Sequence, residues 1–313
     1  MNSDLRLDPA IQGLFAETNT EVYHSAAPVS EWPIVAWCRA LQDRNPIYQD
    51  EAVARQFGHG GILAPPVMMH SFTMPGILGT PTDGLLAQLR GTLARHGLNS
   101  VLAANYEQEF LAPMRLGDRL TRTMRLASLG EEKVTGAGIG RFVVMEEKIV
   151  NQRDEHVGNQ SLRILFFRPV EPAAARPPRD AAPASEPNAN RVTLSALSIP
   201  LTTTMIVAAA LASNDYEPIH HDRDAASAQG LKDIVMNVLT STGLAMRYVT
   251  DWAGPAAKVR RIATRLKGPN YPGDTMTLTG SADAPYGDRQ STDVRVLGAN
   301  ATGPHIESVV TIE

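Results

Sequence analysis

A single cysteine, Cys38, in 313 residues leaves no intrachain disulfide and too few thiols for a multi-cysteine zinc site. In its Trp-Cys-Arg-Ala setting it is expected to be a small buried apolar residue rather than a reactive thiol. Long basic runs are also missing and the formal net charge is −4, which argues against nucleic-acid binding, since phosphate contacts need clustered Lys and Arg. No apolar run approaches the roughly 18 residues needed to cross a bilayer. The first residues, Met-Asn-Ser-Asp-Leu-Arg-Leu-Asp, have no apolar signal core, so the expectation is a cytoplasmic protein with no membrane partner. What is present is ordinary for a soluble globular chain, 43% hydrophobic and 20% charged. The length suits two domains of about 150 residues each.

The most informative segment is Ala-Ser-Asn-Asp-Tyr-Glu-Pro-Ile-His-His-Asp, from Ala212 to Asp222. Asp215 precedes His220 by five residues, and Pro218 stiffens the turn between them. A carboxylate and an imidazole on one rigid turn suit water activation, where one proton is removed and another delivered. The pattern recurs upstream. Asp43, Pro46, Ile47, Asp50, Ala54 and Gly58 match Asp215, Pro218, Ile219, Asp222, Ala226 and Gly230, a constant shift of 172 from 43 to 215 and from 58 to 230. A second landmark repeats, Pro-Met-Arg-Leu-Gly-Asp ending at Asp118 and Pro-Gly-Asp ending at Asp274, so the chain is read as an internal duplication. Where the second copy has His220 the first has Tyr48, and a phenol ionising near pH ~10 shuttles protons poorly. Only the second half is expected to be catalytic.

From Val170 to Arg191 the sequence turns Pro- and Ala-rich with almost nothing to bury, and is read as an extended linker. The division expected is residues 1–169, a non-catalytic half; 170–191, the linker; and 192–313, the catalytic half. Runs Arg141 to Asn151, Ser161 to Phe167, Thr275 to Thr279, Ser291 to Leu297 and Ile306 to Ile312 predict antiparallel strands. Ile234 to Trp252 predicts one apolar helix ahead of the second set, with a counterpart expected near Pro66. Between motif and Gly-Asp landmark the shift falls from 172 to 156 (Gly117 to Gly273), so the first half carries 16 extra residues. They fit the amphipathic segment Asp83 to His96, expected to cap the sheet, with a role as a ligand wall as the alternative.

Both halves resemble hot-dog domains of the MaoC-like hydratase family, whose site reads Ser-Gly-Asp-x-Asn-Pro-(Ile or Leu)-His-x-Asp. Ser213, Asp215, Pro218, Ile219, His220 and Asp222 match it, while Asn214 replaces the Gly and Glu217 the Asn that helps hold water. The likeness extends through His-His-Asp-Arg-Asp, Ala-Gln-Gly-Leu-Lys-Asp-Ile and Arg-Tyr-Val-Thr-Asp-Trp-Ala-Gly-Pro to the catalytic subunits of bacterial steroid side-chain enoyl-CoA hydratases. Asp-Arg-Asn-Pro-Ile-Tyr and Gly-Gly-Ile-Leu-Ala-Pro-Pro-Val-Met resemble their partner subunit, which lacks the catalytic His. The chain is similar to both, fused. This implies an α+β double hot-dog, two antiparallel sheets each wrapped around a central helix, packed as a dimer-like unit.

The activity implied is hydration of a 2-enoyl-CoA with a bulky, steroid side-chain acyl group to the 3-hydroxyacyl-CoA. Asp215 and His220 would hold and deprotonate water and return a proton to carbon, supported by Ser213, Asn214 and Glu217. A backbone amide among Met236, Asn237 and Val238 would meet the enolate oxygen at the start of the helix. No metal or cofactor is expected beyond coenzyme A in the substrate; a homodimer is expected, with an aldolase as a separate partner. A straight-chain (R)-specific hydratase or 3-hydroxyacyl dehydratase would use the same residues, and Glu217 keeps a non-catalytic acyl-thioester binder in view. Lys258, Arg260, Arg261, Arg265 and Lys267 are read evenly as contacts to coenzyme A phosphates or as a solvated strand face. His221, Asp222 and Asp224 do not make a metal site, because adjacent residues point apart; Asp222 is expected to cap the next segment. Tyr48 with Asp43 and Asn45 is expected to be a satisfied structural turn. Met68, Met69, Met74, Met236 and Met246 either fill core gaps or line a wide apolar pocket.

Overall fold

The computed structural model describes residues 9–78, 83–169, 191–283 and 291–313. The expected linker, apart from Arg191, lies outside them. The first half runs α1 (Pro9–Leu14), β1 (Thr20–His24), α2 (Glu31–Leu41), α3 (Glu51–Gln56), α4 (Leu85–Arg95), β2 (Ser100–Phe110), β3 (Leu120–Val134), β4 (Ile139–Asn151) and β5 (His156–Arg168). The second half runs β6 (Arg191–Pro200), α5 (Thr203–Ala212), α6 (Arg223–Ala228), α7 (Val238–Ala253), β7 (Val259–Leu266), β8 (Thr275–Asp283), β9 (Thr292–Asn300) and β10 (Gly303–Ile312). No helix among the described residues is long and apolar enough to cross a membrane.

The strands form one antiparallel ten-stranded sheet in the order β1-β3-β4-β5-β2-β7-β10-β9-β8-β6. Reading outward from the centre, the second half repeats the first in mirror order. The two expected sheets are therefore joined edge to edge where β2 pairs with β7, from Asn105 opposite Arg265 to Glu109 opposite Arg261. That pairing removes the two long open edges that separate sheets would expose.

The shift of 172 survives in three dimensions. α2 maps onto α5, the Pro46–Tyr48 turn onto Pro218–His220, and α3 onto α6. Asp50 caps α3 by accepting from Ala52 and Val53, and Asp222 caps α6 by accepting from Asp224 and Ala225, as expected for Asp222. Past the change of shift, Asp118 accepts the Arg115 N–H and Asp274 the Tyr271 N–H, both at 2.9 Å. α2 and α5 pack against each other across the two halves.

α7 is buried on nearly every side, which fits its Leu, Ala, Met and Val content. A Cβ on Gly243 would lie 2.5 Å from Trp37 and 2.6 Å from Leu41, so glycine is what lets α7 approach α2 this closely. The helix expected near Pro66 does not form as a continuous element. In its place stand three short 3₁₀ turns, Pro66–Met69, Ser71–Thr73 and Gly76–Leu78. Pro65, Pro66 and Pro75 interrupt any longer ladder of backbone hydrogen bonds. α4, within the amphipathic Asp83–His96 segment, buries Leu85, Leu89 and Leu93 with Ile11, Met124, Val143 and Phe166 in a second apolar cluster, so it caps the sheet. Cys38 is buried, and desolvation, then the nearby Asp43, push its thiol up to about 12.

Candidate active site

Asp215 and His220 meet at the base of α7. His220 sits in the 3₁₀ turn begun by Pro218, and its Nδ1 lies 2.6 Å from the Val235 carbonyl oxygen. A carbonyl only accepts, so Nδ1 carries the proton and, in the neutral ring, Nε2 is bare. That bare nitrogen lies 3.5 Å from Asp215 Oδ2. Two acceptors facing each other are satisfied by a shared proton or by the hydrogens of a water, which is the arrangement a water-activating pair requires.

Asp215 is held from behind. Asn237, the N-cap of α7, accepts the Thr240 N–H through its side-chain oxygen at 2.8 Å, which fixes the orientation of its amide. The amide nitrogen then donates to Asp215 Oδ2 and to Ser213 Oγ, both at 2.9 Å. Ser213 Oγ donates in turn to the Ala210 carbonyl, and Asp215 Oδ1 accepts the Glu217 N–H at 3.3 Å. Behind α7, Ser241 and His305 form a further buried contact at 2.8 Å.

Asn214 has a positive φ of 58°, a conformation Asn tolerates better than most residues. Its amide donates to the Ser71 and Met74 carbonyls of the first half, at 3.3 and 3.0 Å. The loop that carries Asp215 is thereby tied to the 3₁₀ segment of the other half. Gly76 makes room for this: a Cβ there would lie 2.9 Å from Asn214 Oδ1.

The remaining candidates fall into place less uniformly. Glu217 is exposed and reaches the pair through its backbone N–H. Met236 is corrected as an enolate-oxygen donor, because its N–H already donates to the Asn270 carbonyl at 3.1 Å. Asn237 and Val238 remain, their N–H groups standing at the open start of α7. Much of the basic stretch is engaged in ion pairs. Ile262 and Thr264 of β7 point to the core, so Arg261 and Arg265 project from the opposite face of the sheet, away from α7 and the Asp215–His220 pair. Glu107 holds Arg261 at 2.6 Å, Glu307 holds Lys267 at 3.0 Å and Glu313 holds Arg260 at 2.6 Å. Lys258 pairs its backbone with Glu313. A cleft of about 670 Å³ lies on that outer face beside Arg265, Arg295 and Glu307, but neither Asp215 nor His220 borders it.

The first-half copy of the motif is a closed structural turn. Tyr48 and Asp43 are buried in the apolar core, and desolvation, then Asp43, push the Tyr48 phenol well above its ordinary range. Desolvation also raises the Asp43 carboxyl to about 6. Among the described residues no three His, Cys, Asp or Glu side chains converge as metal ligands.

Sequence reasoning missed two side-chain roles. It considered Asn237 only for its backbone, although Asn before Val-Leu-Thr-Ser-Thr is an N-cap signal. It named Asn214 as a support of the pair, but the tie of its side chain to the first half has no sequence signature.

Residues 18–160 match the family described as the FAS1-like dehydratase domain region, and residues 185–297 match the MaoC-like domain. The chain is 50% identical over 109 residues to the beta subunit of a 3-oxo-4,17-pregnadiene-20-carboxyl-CoA hydratase from Mycobacterium tuberculosis, covering 35% of this chain and 83% of that protein. It is 37% identical over 145 residues to the alpha subunit of that hydratase, covering 46% of each. A probable enoyl-CoA hydratase alpha subunit from Thermomonospora curvata is 34% identical over 178 residues, 53% of this chain and 56% of that one. The chain thus spans about half the length of these alpha subunits. A solved MaoC-like dehydratase superposes with a TM-score of 0.69 at 17% identity, over 93% of this chain and 97% of that one. A Mycobacterium tuberculosis protein described as a double hot-dog superposes at 0.62 with 16% identity, over 93% and 95%. These similarities establish the double hot-dog fold.

Proposed function

The chain belongs to the MaoC-like enoyl-CoA hydratases, a family of hydro-lyases, and from that premise we propose that it adds water to a 2-enoyl-CoA carrying a bulky, steroid side-chain acyl group, using Asp215 and His220. The observation that carries the chemistry is the bare Nε2 of His220 facing Asp215 Oδ2 at 3.5 Å, with Nδ1 committed to Val235. A water donating to both would be aimed at C3 of the enoyl thioester. As its oxygen bonds to C3, its O–H bond breaks and the pair takes the proton. The double-bond electrons move toward the thioester oxygen, which the N–H groups of Asn237 or Val238 would meet at the positive end of α7. The proton then passes from the pair to C2, which gives the 3-hydroxyacyl-CoA and restores the starting state. The scheme involves no oxidation or reduction and calls on no metal, and coenzyme A arrives as part of the substrate.

The bulky acyl group is supported by the first half. Where the second half fills its interior with the sixteen-residue α7, the first has three short turns. Its motif has lost the imidazole, so this half is free to provide space rather than chemistry. The same proposal takes residues 1–169 as the non-catalytic half and 192–313 as the catalytic one. A homodimer, and an aldolase that cleaves the hydroxylated product, belong to it as partners.

The test is loss of enoyl-thioester absorbance with a steroid side-chain enoyl-CoA. Turnover by the wild type, with falls of about 10²-fold or more in Asp215→Asn and His220→Ala, is expected. Wild-type turnover that both variants retain would assign the chemistry elsewhere.

A further inference from the structure

A buried chain of hydrogen bonds runs from the sheet to the Asp215 carboxylate. His305 on β10 is buried, and its Nδ1 lies 2.6 Å from the Gly268 carbonyl oxygen. That carbonyl only accepts, so Nδ1 carries the proton. Desolvation, opposed by the Gly268 hydrogen bond and by Asp274, holds the imidazole below its ordinary range, so the ring is neutral and Nε2 is bare. Ser241 Oγ stands 2.8 Å from that Nε2 and 3.0 Å from the Asn237 carbonyl oxygen. Its one hydroxyl hydrogen has an acceptor on each side, and the ring fixes the Ser241 side chain against the first turn of α7. Asn237, at the start of that turn, carries the amide that donates to Asp215 Oδ2.

The fold itself does not demand this polarity. Lys267 N–H donates to the His305 carbonyl at 2.8 Å, as its counterpart at the shift of 156, Leu111 N–H, donates to Val157 at 2.9 Å, so His305 stands where the first half has Val157. Met236 N–H donates to the Asn270 carbonyl at 3.1 Å, as Ala64 N–H donates to Met114 at 3.0 Å, which carries the shift of 172 up to the start of α7. By that shift Ser241 corresponds to Met69 and Asn237 to Pro65. Met69 lies on the strand beside Val157, since a Cβ on Gly158 would be 2.9 Å from Met69 Sδ, and both side chains belong to the apolar core. The half that lost the imidazole closes this contact with apolar side chains; the half that keeps Asp215 and His220 closes it with a hydrogen-bonded pair. Replacing both partners of a buried hydrogen bond by apolar groups can be nearly neutral, so stability does not account for the difference.

We infer that His305 and Ser241 are positioning residues for the hydration, holding the first turn of α7 so that Asn237 keeps its amide on Asp215 Oδ2. The inference rests on the hydratase reading and adds the side chains that aim its carboxylate. Asn237 is restrained twice, by the Thr240 N–H on its side-chain oxygen and by Ser241 on its backbone carbonyl. Releasing the second restraint lets the cap shift and the carboxylate drift from the water it shares with His220. A displacement of about 1 Å in a reacting group costs up to about 10²-fold in rate, so partial release is expected to cost about tenfold. Both residues act through Asn237, so the loss belongs to kcat rather than to substrate binding.

The test is steady-state hydration of a steroid side-chain enoyl-CoA by the full chain, with thermal unfolding alongside. The double variant Ser241→Ala with His305→Val makes both partners apolar, as in the first half, and is expected to stay folded while kcat falls about tenfold and KM stays within about twofold. A folded double variant with the wild-type kcat would overturn the inference. Should it not fold, Ser241→Ala alone, which leaves the His305 bond to Gly268 in place, carries the same expectation and the same refutation. The route through Asn237 is read in an Asn237→Ala background, where Ser241→Ala is expected to lower kcat by less than about twofold further. A further loss as large as in the wild-type background would place the effect elsewhere and overturn the positioning role. Turnover by the wild type with unimpaired variants sinks this inference alone; a wild type that hydrates no 2-enoyl-CoA sinks the hydratase reading and this inference with it.

Discussion

Asn237 caps α7 with its oxygen and holds Asp215 Oδ2 with its nitrogen at 2.9 Å, so one side chain joins the start of the buried helix to the carboxylate that faces His220. The two functions separate by substitution. Asn237→Ala removes both and is expected to cost about 1 kcal/mol of stability from the lost cap. Asn237→Asp keeps a capping oxygen but turns an acceptor toward Asp215. It is expected to lower kcat at least about tenfold. Thermal unfolding alongside steady-state kinetics checks the pair, and an unimpaired kcat in Asn237→Asp would refute the holding role.

Asn214 couples the Asp215 loop to the first half through Ser71 and Met74. Asn214→Gly accepts the positive φ without strain but loses both hydrogen bonds. A rise in KM with a smaller change in kcat is expected. Asn214→Ala also loses them and adds backbone strain, so its melting temperature should fall below that of Asn214→Gly.

Asp43 gives a pH-dependent signature of the silent copy. Desolvation raises its carboxyl to about 6 from an ordinary 3.8, so the folded state binds its proton more tightly than the unfolded state does. Stability from this group is fully present below pH 3.8 and is lost as pH rises through about 6. Asp43→Asn should therefore be more stable than the wild type at pH 8, by about 1–3 kcal/mol. The gain should fade toward pH 4, which denaturant unfolding across that range would read.

Gly243→Ala tests the approach of α7 to α2. Its Cβ would meet Trp37 at 2.5 Å, and overpacking of this kind costs roughly 1–3 kcal/mol. The urea midpoint is the measurement.

Arg265→Ala separates the two readings of the basic stretch. On the outer face of β7 it is expected to leave KM for the coenzyme A thioester within about twofold of wild type. A several-fold rise would favour contact with the coenzyme A phosphates.

Much of this was legible in the sequence because repetition is a strong signal. The shift of 172 located the paired motif turns, and Tyr48 in place of His singled out the first half as the one expected to lack the chemistry. Strands with alternating burial, such as β4, announced themselves. Less legible was anything decided by contact between distant segments. Prolines at 65, 66 and 75 argue against a helix near Pro66, where the duplication alone had placed one. Basic residues on β7 looked available to a ligand because a charge count does not reveal which face of the sheet they occupy.

The seam between β2 and β7 has a consequence for how the molecule behaves when diluted. Where the relatives named above divide hydratase subunits between separate chains, here both sides of the seam belong to one chain, and the Asn214 tie across the halves closes intramolecularly. A tethered partner faces an effective concentration set by the connecting chain, not by the amount of protein in solution. Specific activity should accordingly hold constant down to enzyme concentrations at which a two-chain assembly would dissociate and lose its second wall.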